Sequence, residues 1–131
     1  MACGAERAAV PTSELSVWEA WARAADSGAN AAVYFTLGNA GSVADTLKGV
    51  ASEAAELTQM HISMQHNRTM HMSEVTALPV PADDSVQFKP LGAHVMLTRL
   101  RRPLVAGDTV VTTLTFVSGQ TVQVRAGVRR P

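Results

Sequence analysis

The chain lacks several features on which common binding and catalytic classes depend. Of its 131 residues only Cys3 is a cysteine, which excludes an internal disulfide framework and any cysteine-rich zinc or iron–sulfur site. Eleven Lys and Arg balance eleven Asp and Glu, so the net charge gives no reason to expect a nucleic-acid partner. No apolar run is long enough to span a bilayer. Hydrophobic residues still make up 47% of the chain, which is enough to bury a core.

Catalytic motifs are also missing. The sequence contains no Gly-x-Ser-x-Gly nucleophile elbow and no His/Glu spacing of the zincin kind. A blue-copper electron carrier requires a cysteine thiolate in the copper site, and Cys3 lies far upstream of the first histidine, His61. We therefore expect a binding protein and not an enzyme.

The N-terminal residues 1–14 are predicted to form a flexible tail. They begin Met1-Ala2-Cys3-Gly4, which resembles the end of a bacterial lipoprotein signal, where the cysteine becomes the lipidated first residue. On that interpretation the protein is extracytoplasmic, in the periplasm, and attached to the membrane through Cys3. The alternative is a free thiol in a frayed terminus.

Residues 15–131 predict one all-β domain. Residues 110–117 are rich in β-branched side chains, and residues 121–126 alternate with period two after Ser118-Gly119, which together indicate a C-terminal hairpin. Prolines in the second half exclude long helices there. Strands separated by turns roughly every ten residues favour a β-sandwich or Greek-key barrel of about seven to nine short strands. Further strands are predicted at residues 15–23, 31–37, 45–52 and 50–57.

The methionines and histidines are strongly clustered. Apart from Met1, every methionine falls between positions 60 and 96, and so do all four histidines. Core-filling methionines are normally spread over several strands, so this clustering indicates a specific use. The residues concerned are Met60, His61, Met64, His66, Met70, His71, Met72, His94 and Met96.

Their spacing on strands predicts a shared site. If residues 65–68 form a hairpin turn, His61 lies directly opposite Met72. Directly opposed side chains have Cβ atoms about 4.5–5.5 Å apart, close enough to share one ion. His94 and Met96 are two residues apart on another strand and point to the same face. The sequence therefore predicts a tetrad of two imidazoles and two thioethers.

The donor types of this tetrad select the metal. Thioethers are soft, uncharged ligands that suit Cu(I) and bind hard divalent ions poorly, while imidazoles leave Cu(II) binding open. Met70 shares the predicted face of Met72, so it is a secondary candidate ligand, with core packing as the alternative. Met60, Met64 and His66 lie on the other face or at the turn, and His71 is predicted to be solvated. They are interpreted as a copper-collecting patch or as ordinary surface residues.

The same four residues carry a resemblance to a known family. The sequence resembles the periplasmic copper chaperones of the PCuA(C) type, whose signature is His or Met, ten residues, Met, twenty-one residues, then His-x-Met. His61, Met72 and His94-Val95-Met96 satisfy every spacing. Leu91 departs from the family pattern, because it replaces the first glycine of the Pro-Gly-Gly segment. The likeness covers about residues 15–128, including 17–23, 32–35, 45–47, 89–97 and 103–110.

This resemblance implies a cupredoxin-like Greek-key β-sandwich that binds one Cu(I) and delivers it to cytochrome c oxidase, at the dinuclear copper site of subunit II. A thioredoxin-like copper assembly protein is the implied collaborator, and we expect a monomer. Two alternatives remain: a periplasmic copper buffer or resistance protein without a dedicated acceptor, and a β-sandwich interaction module that binds no metal.

Two further patterns give expectations for the surface. Trp18 and Trp21 are three residues apart, so a regular strand would send them to opposite faces. Arg99, Arg101 and Arg102 form a basic run after the metal-binding segment, interpreted either as a docking surface for an acidic partner or as solvated surface.

Overall fold

The computed structural model describes residues 12–130, and for Gln65 and His66 it describes the backbone only. Residues 1–11, with Cys3 and most of the predicted tail, lie outside the described part. The described residues form ten strands and contain no helix, so none of them forms a helix long and apolar enough to cross a membrane. The strands are β1 (Leu15–Arg23), β2 (Ala31–Asn39), β3 (Asp45–Ala51), β4 (Ala55–His66), β5 (Thr69–Val75), β6 (Leu78–Val80), β7 (Asp84–Phe88), β8 (Ala93–Leu100), β9 (Thr109–Phe116) and β10 (Thr121–Arg129).

The ten strands form one continuous hydrogen-bonded sheet in the order β5-β4-β8-β7-β2-β1-β10-β9-β3-β6, with β8 also paired to β2. Most neighbours are antiparallel, but β1 pairs parallel with β10. Strand β3 contacts β4 although the two lie near opposite ends of the order. The sheet therefore folds over onto itself, and its inner face becomes the interior of the domain.

The interior is filled by side chains of alternate residues. In β9, Val110, Thr112, Leu114 and Phe116 are fully buried while the residues that alternate with them are at least partly exposed, as the period-two pattern predicts. Val33 and Val95, from the other half of the sheet, are also fully buried in the same cluster. One apolar core thus joins the two halves, and the prediction of an all-β domain is confirmed.

Two details of the predicted strands are wrong. The structure has ten strands where seven to nine were expected. The strand predicted at residues 50–57 is interrupted between Ala51 and Ala55. There the hydroxyl of Ser52 donates to the carbonyl oxygen of Val111 and accepts a hydrogen bond from the backbone N–H of Ala54. Such local side-chain hydrogen bonds replace the ladder and turn the chain from β3 into β4.

A β-bulge in β1 changes the faces of the two tryptophans. Trp18 pairs with Thr36 and Trp21 with Tyr34, so the register shifts by one residue between them. Glu19, inside the shift, has a φ of 56°. Because the extra residue cancels the odd spacing, Trp18 and Trp21 lie on the same outer face, and the prediction of opposite faces is wrong.

The segment before β1 is fastened to the sheet by polar side chains. The Ser13 and Ser118 hydroxyls each donate to Oδ2 of Asp45 at 2.6 Å. The backbone N–H groups of Thr46 and Ser118 donate to Oδ1 of the same carboxylate at 2.8 and 3.2 Å. Asp45 therefore joins the N-terminal segment, the start of β3 and the β9–β10 turn.

Candidate metal centre

The hairpin that carries most of the methionines has a different register from the predicted one. His66 pairs with Thr69, and the two residues between them, Asn67 and Arg68, have φ values of 49° and 67°. Two consecutive positive φ values define a type I′ turn, whose first position favours Asn. The turn is thus residues 66–69 and not 65–68, and His61 lies opposite Glu74 instead of Met72. The faces of the side chains are unchanged, because each partner differs from the predicted one by two positions and strand side chains alternate with period two.

The two predicted imidazoles face each other directly. His61 of β4 pairs with His94 of β8 in the antiparallel ladder, and their ring centroids are 5.7 Å apart with an interplanar angle of 60°. Two imidazoles that share one ion through bonds of about 2 Å have centroids roughly 5–6.5 Å apart. The separation in the structure therefore fits a shared ion without movement of the backbone.

Hydrogen bonds leave one nitrogen of each ring free for a ligand. Nδ1 of His94 donates to the carbonyl oxygen of Gly92 at 3.1 Å, so Nε2 carries the lone pair. Nε2 of His61 donates to the side-chain oxygen of Gln59 at 3.2 Å, which leaves the lone pair on Nδ1. Within residues 12–130, His61 Nδ1 and the Thr112 hydroxyl are the buried polar side-chain atoms without a hydrogen-bond partner. An unpartnered buried acceptor is costly unless it binds something, so the His61 ring is suited to a cation.

The two thioethers lie on the same face, on opposite sides of the histidine pair. Met96 is opposite Gln59, and Met72 is opposite Ser63, which is nearer the hairpin tip. Each is therefore a diagonal neighbour of His61, and such neighbours are about 7–8 Å apart with their Cβ atoms somewhat closer. Met72 is 59% exposed and Met96 is half-buried. The thioethers must reach toward the imidazoles from both sides to complete a tetrad.

Other candidates are arranged around this pair. Met70, the secondary candidate, lies opposite Gln65 one step further toward the tip and is 48% exposed. Met64 and His71 pair with each other on the opposite face and are exposed. Met60 is buried in the core, which leaves it no part in a surface patch. The His66 side chain lies outside the described residues.

A row of rings continues from the histidines across the sheet. Tyr34 of β2 lies beside His94, with centroids 6.4 Å apart, and Trp21 of β1 follows at 4.7 Å from Tyr34. The Arg129 guanidinium lies 3.9 Å from the Trp21 ring centroid, in cation–π range. Sequence reasoning did not assign Tyr34 or Gln59 to the site. The only signal for them in the sequence is the alternation of strand residues, which places Gln59 on the same face of β4 as His61 and Tyr34 on the outer face of β2.

Burial affects the protonation of the pair. Burial lowers the pKa of His94 below its usual value, the hydrogen bond to Gly92 opposes this in part, and the neighbouring His61 lowers the pKa further. A metal-binding imidazole must be neutral. His94 therefore keeps its ligand form at a lower pH than a solvated histidine.

The donor chemistry of the face is soft. In the described part of the chain, no three His, Cys, Asp or Glu side chains come together as a metal cluster. The neighbours of the two imidazoles on this face are the Met72 and Met96 thioethers, the Gln59 amide and one carboxylate, that of Glu74 opposite His61. A set in which imidazoles and thioethers outnumber carboxylates suits a soft ion of the copper type better than a hard divalent cation.

Solved structures with the same fold include copper-bound domains. A copper-bound PCuAC domain from PmoF2 is 25% identical, covers 94% of this chain and 97% of its own, and superposes with a TM-score of 0.74. The apo PCuAC domain from PmoF1 is 27% identical over 89% of this chain and 94% of its own, with a TM-score of 0.75. The Cu(I) form of DR1885 from Deinococcus radiodurans is 31% identical over 98% and 85% of the two chains, with a TM-score of 0.64. The chain thus has the all-β fold of PCuAC domains, and the resemblance found in the sequence is confirmed.

A family assignment follows from two sequence comparisons. The family described as putative lipoprotein LpqE-like matches residues 15–128. The putative lipoprotein Lxx21020 of Leifsonia xyli subsp. xyli is 34% identical over 116 residues, which cover 88% of this chain and 69% of the relative. This chain belongs to the LpqE-like family of putative lipoproteins.

Proposed function

We propose that this protein is an extracytoplasmic copper chaperone that binds one Cu(I) through His61, Met72, His94 and Met96. The observation that carries the proposal is the directly opposed pair His61 and His94, each with a free ring nitrogen, between two thioethers on one face. The copper-bound relatives support copper as the cargo. Uncharged imidazoles and thioethers favour the monovalent ion, while the imidazoles alone give a weaker site for Cu(II).

Exposure of the site suits transfer of the ion. Met72 is 59% exposed on β5, an edge strand that among the ten described strands pairs only with β4. A partner's thiolate or thioether can replace this ligand first while the imidazoles still hold the ion. Each intermediate then shares the ion between two proteins, and free copper is not released to water. In this proposal the acceptor is the dinuclear copper site of cytochrome c oxidase subunit II, and a thioredoxin-like assembly protein is the collaborator.

The relation to putative lipoproteins supports an extracytoplasmic location. We extend this to lipid attachment through Cys3 and to a monomer in solution. Metabolic labelling with a fatty-acid analogue tests the attachment, with Cys3→Ser as the control. Label retained in that variant would contradict it.

The ligand assignment is tested by titrating the protein with Cu(I) against a chelator. We expect one ion per chain. The Cu(I) affinity should fall at least about a hundredfold in a Met72→Ala, Met96→Ala variant, because removing even a group that only hydrogen-bonds to a metal ligand typically lowers metal affinity about 10–100-fold. Met64→Ala is a matched control, because Met64 is an exposed methionine on the other face of the same hairpin. Unchanged affinity in the double variant would refute the tetrad.

A second candidate function is a copper buffer. Met64, Met70 and His71 supply exposed donors on the hairpin beyond the four assigned ligands. A buffer binds more than one ion per chain and does not load the apo subunit II fragment when mixed with it. A chaperone transfers its single ion to that fragment. A β-sandwich interaction module without metal would bind no copper in the same titration.

A further inference from the structure

A groove of about 820 Å³ lies on the outer face of the other half of the sheet, away from the histidines. The outward side chains of β9 form its floor. Arg125 of β10 lies on one side of that floor. On the other side of β9, toward β3, the groove is lined by residues 51–54 and by Arg101 and Arg102.

The groove is positively charged. Three guanidinium groups line it against one carboxylate, that of Glu53. In residues 12–130 none of these three arginines forms an ion pair, whereas Arg99 pairs with Glu56 at 3.5 Å. The structure thus divides the basic run seen in the sequence: Arg99 is neutralised separately, and Arg101 and Arg102 join Arg125 from a distant strand. Unpaired arginines on two sides of one groove favour an anionic ligand with several charges.

The width of the groove indicates the shape of that ligand. Neighbouring strands lie about 4.8 Å apart, so β10 and β3, on either side of β9, are about 10 Å apart. Arg101 lies at least as far from β10 as β3 does, because its backbone N–H donates to the carbonyl oxygen of Ala54, just after β3. A single small anion would fill only a small part of the 820 Å³ groove. An extended polypeptide directs successive side chains to opposite sides and can place carboxylates against both. The hydroxyl groups of Thr109 and Thr113 on the floor are available to its backbone.

We propose that this groove binds an extended acidic segment of a partner protein, with alternate carboxylates on Arg125 and on Arg101 and Arg102. The site is separate from the copper site. His94 is near the start of β8 and Arg101 follows its end, a distance of about 23 Å along the strand. A partner held in the groove leaves the histidine face open, and binding in the groove does not require copper.

The test measures binding of a fluorescent oligoglutamate peptide to the full chain, with an oligoglutamine peptide of equal length as the neutral control. We compare Arg101→Gln, Arg125→Gln with Arg99→Gln, Arg130→Gln. Both double variants lose two positive charges, but only the first removes one arginine from each side of the groove. We expect the first pair to weaken oligoglutamate binding about tenfold or more and the second less than about twofold. Cu(I) affinity should be unchanged in both, which separates this test from that of the copper site.

Several results would overturn the proposal. Equal weakening by both double variants would mean that only net charge matters. Failure of oligoglutamate to bind at low ionic strength, or equal binding of oligoglutamine, would exclude acidic recognition. Binding of inorganic phosphate or of anionic phospholipid vesicles, lost in the first double variant while oligoglutamate does not bind, would assign the groove to an oxyanion. Loss of oligoglutamate binding in Arg101→Gln, Arg125→Gln but not in Arg99→Gln, Arg130→Gln would support an acidic segment as the occupant of the groove.

Discussion

His61 and His94 lie directly opposite each other across the β4–β8 ladder, and His94 is the more deeply buried of the two. Burial is the largest cause of the lowered pKa of His94, and proximity to His61 adds to it. In the apo protein, His61→Gln should therefore raise the pKa of His94 but leave it below the usual 6.5. Titration of the ring signals by NMR measures this. His71→Gln, an exposed histidine on the other face, should have no effect, and an equal shift in that variant would contradict the assignment.

The same lowered pKa affects folding. A histidine that is harder to protonate in the folded state binds fewer protons there than in the unfolded chain. This contribution to stability is present at neutral pH and is lost as the pH falls through 6.5 toward the lowered pKa. The free energy of unfolding should decrease in that window, and the decrease should be smaller in His94→Gln.

Substitution by alanine should destabilise the protein more at Gly41 than at Gly38. A Cβ on Gly38 would lie 2.5 Å from the Trp18 ring, whose side chain is 44% exposed and can rotate away. A Cβ on Gly41 would overlap the Thr12 carbonyl oxygen and lie 2.7 Å from the backbone nitrogen of Glu14. We expect Gly41→Ala to lower the free energy of unfolding by about 1–3 kcal/mol or more, because backbone must move.

Gly38→Ala should cost less than about 1 kcal/mol and change the tryptophan emission instead. Urea denaturation and fluorescence of both variants provide the measurements. A larger loss of stability in Gly38→Ala than in Gly41→Ala would show that Trp18 is held rigidly.

Asp45 predicts a pH-dependent contribution to stability. Burial raises its pKa, but hydrogen bonds from Ser118, Ser13 and Thr46 together outweigh burial and hold the pKa below 3.8. The stabilisation is therefore complete above the unfolded-state pKa and is lost as the pH falls through the lowered one. Asp45→Asn should reduce the free energy of unfolding by about 1–3 kcal/mol at pH 7.

The difference between Asp45→Asn and the unmodified protein should shrink in acid, which denaturation at a series of pH values measures. The exposed Asp26 gives the control, since Asp26→Asn removes the same charge without this network. If the difference in the free energy of unfolding between the two proteins stays constant at acidic pH, the Asp45 charge does not have this role.

Leu91 predicts that a surface substitution can stabilise the protein. It is 80% exposed, has a φ of 67°, and follows Pro90 in a turn closed by a 2.9 Å hydrogen bond from Gly92 N to Lys89 O. Glycine is favoured at this turn position, and a left-handed conformation costs other residues about 1–2 kcal/mol. Leu91→Gly should raise the free energy of unfolding by about 0.5–1 kcal/mol. Leu91→Ala keeps the strain and should give no gain, so equal effects would point to the side chain instead.

Much of the fold could be predicted because its core obeys a local pattern. The predicted first strand, residues 15–23, coincides with β1, and the C-terminal hairpin appears as β9 and β10. The bulge at Glu19 could not be predicted, since no glycine or proline marks it. The hairpin register was not predicted correctly, because it depends on which two residues take positive φ at the centre of the turn. Asn67 favours positive φ, but it can be either the first or the second of the two central residues.

The candidate site was predicted in composition but not in pairing. Period-two spacing correctly placed His94 and Met96 on one face, because both belong to the same strand. The opposition of His61 and His94 depends on β4 pairing with β8, strands separated along the chain by β5, β6 and β7. Such long-range pairing is set by core packing, which residue spacing does not report. That these residues bind copper stays a prediction.

The parallel pairing of β1 with β10 has a consequence for how the chain reaches its folded state. Trp21 bonds in register with Gly127, so the first strand acquires one of its two neighbours from the last strand. Contacts between residues so far apart in sequence form slowly, since a long loop must close before they can form. A nascent chain that has not yet emitted β10 leaves β1 with an unpaired edge, so this domain cannot complete its fold before that strand has been made. Nonsense truncations within the last strand should accordingly yield aggregating fragments and not shortened working proteins.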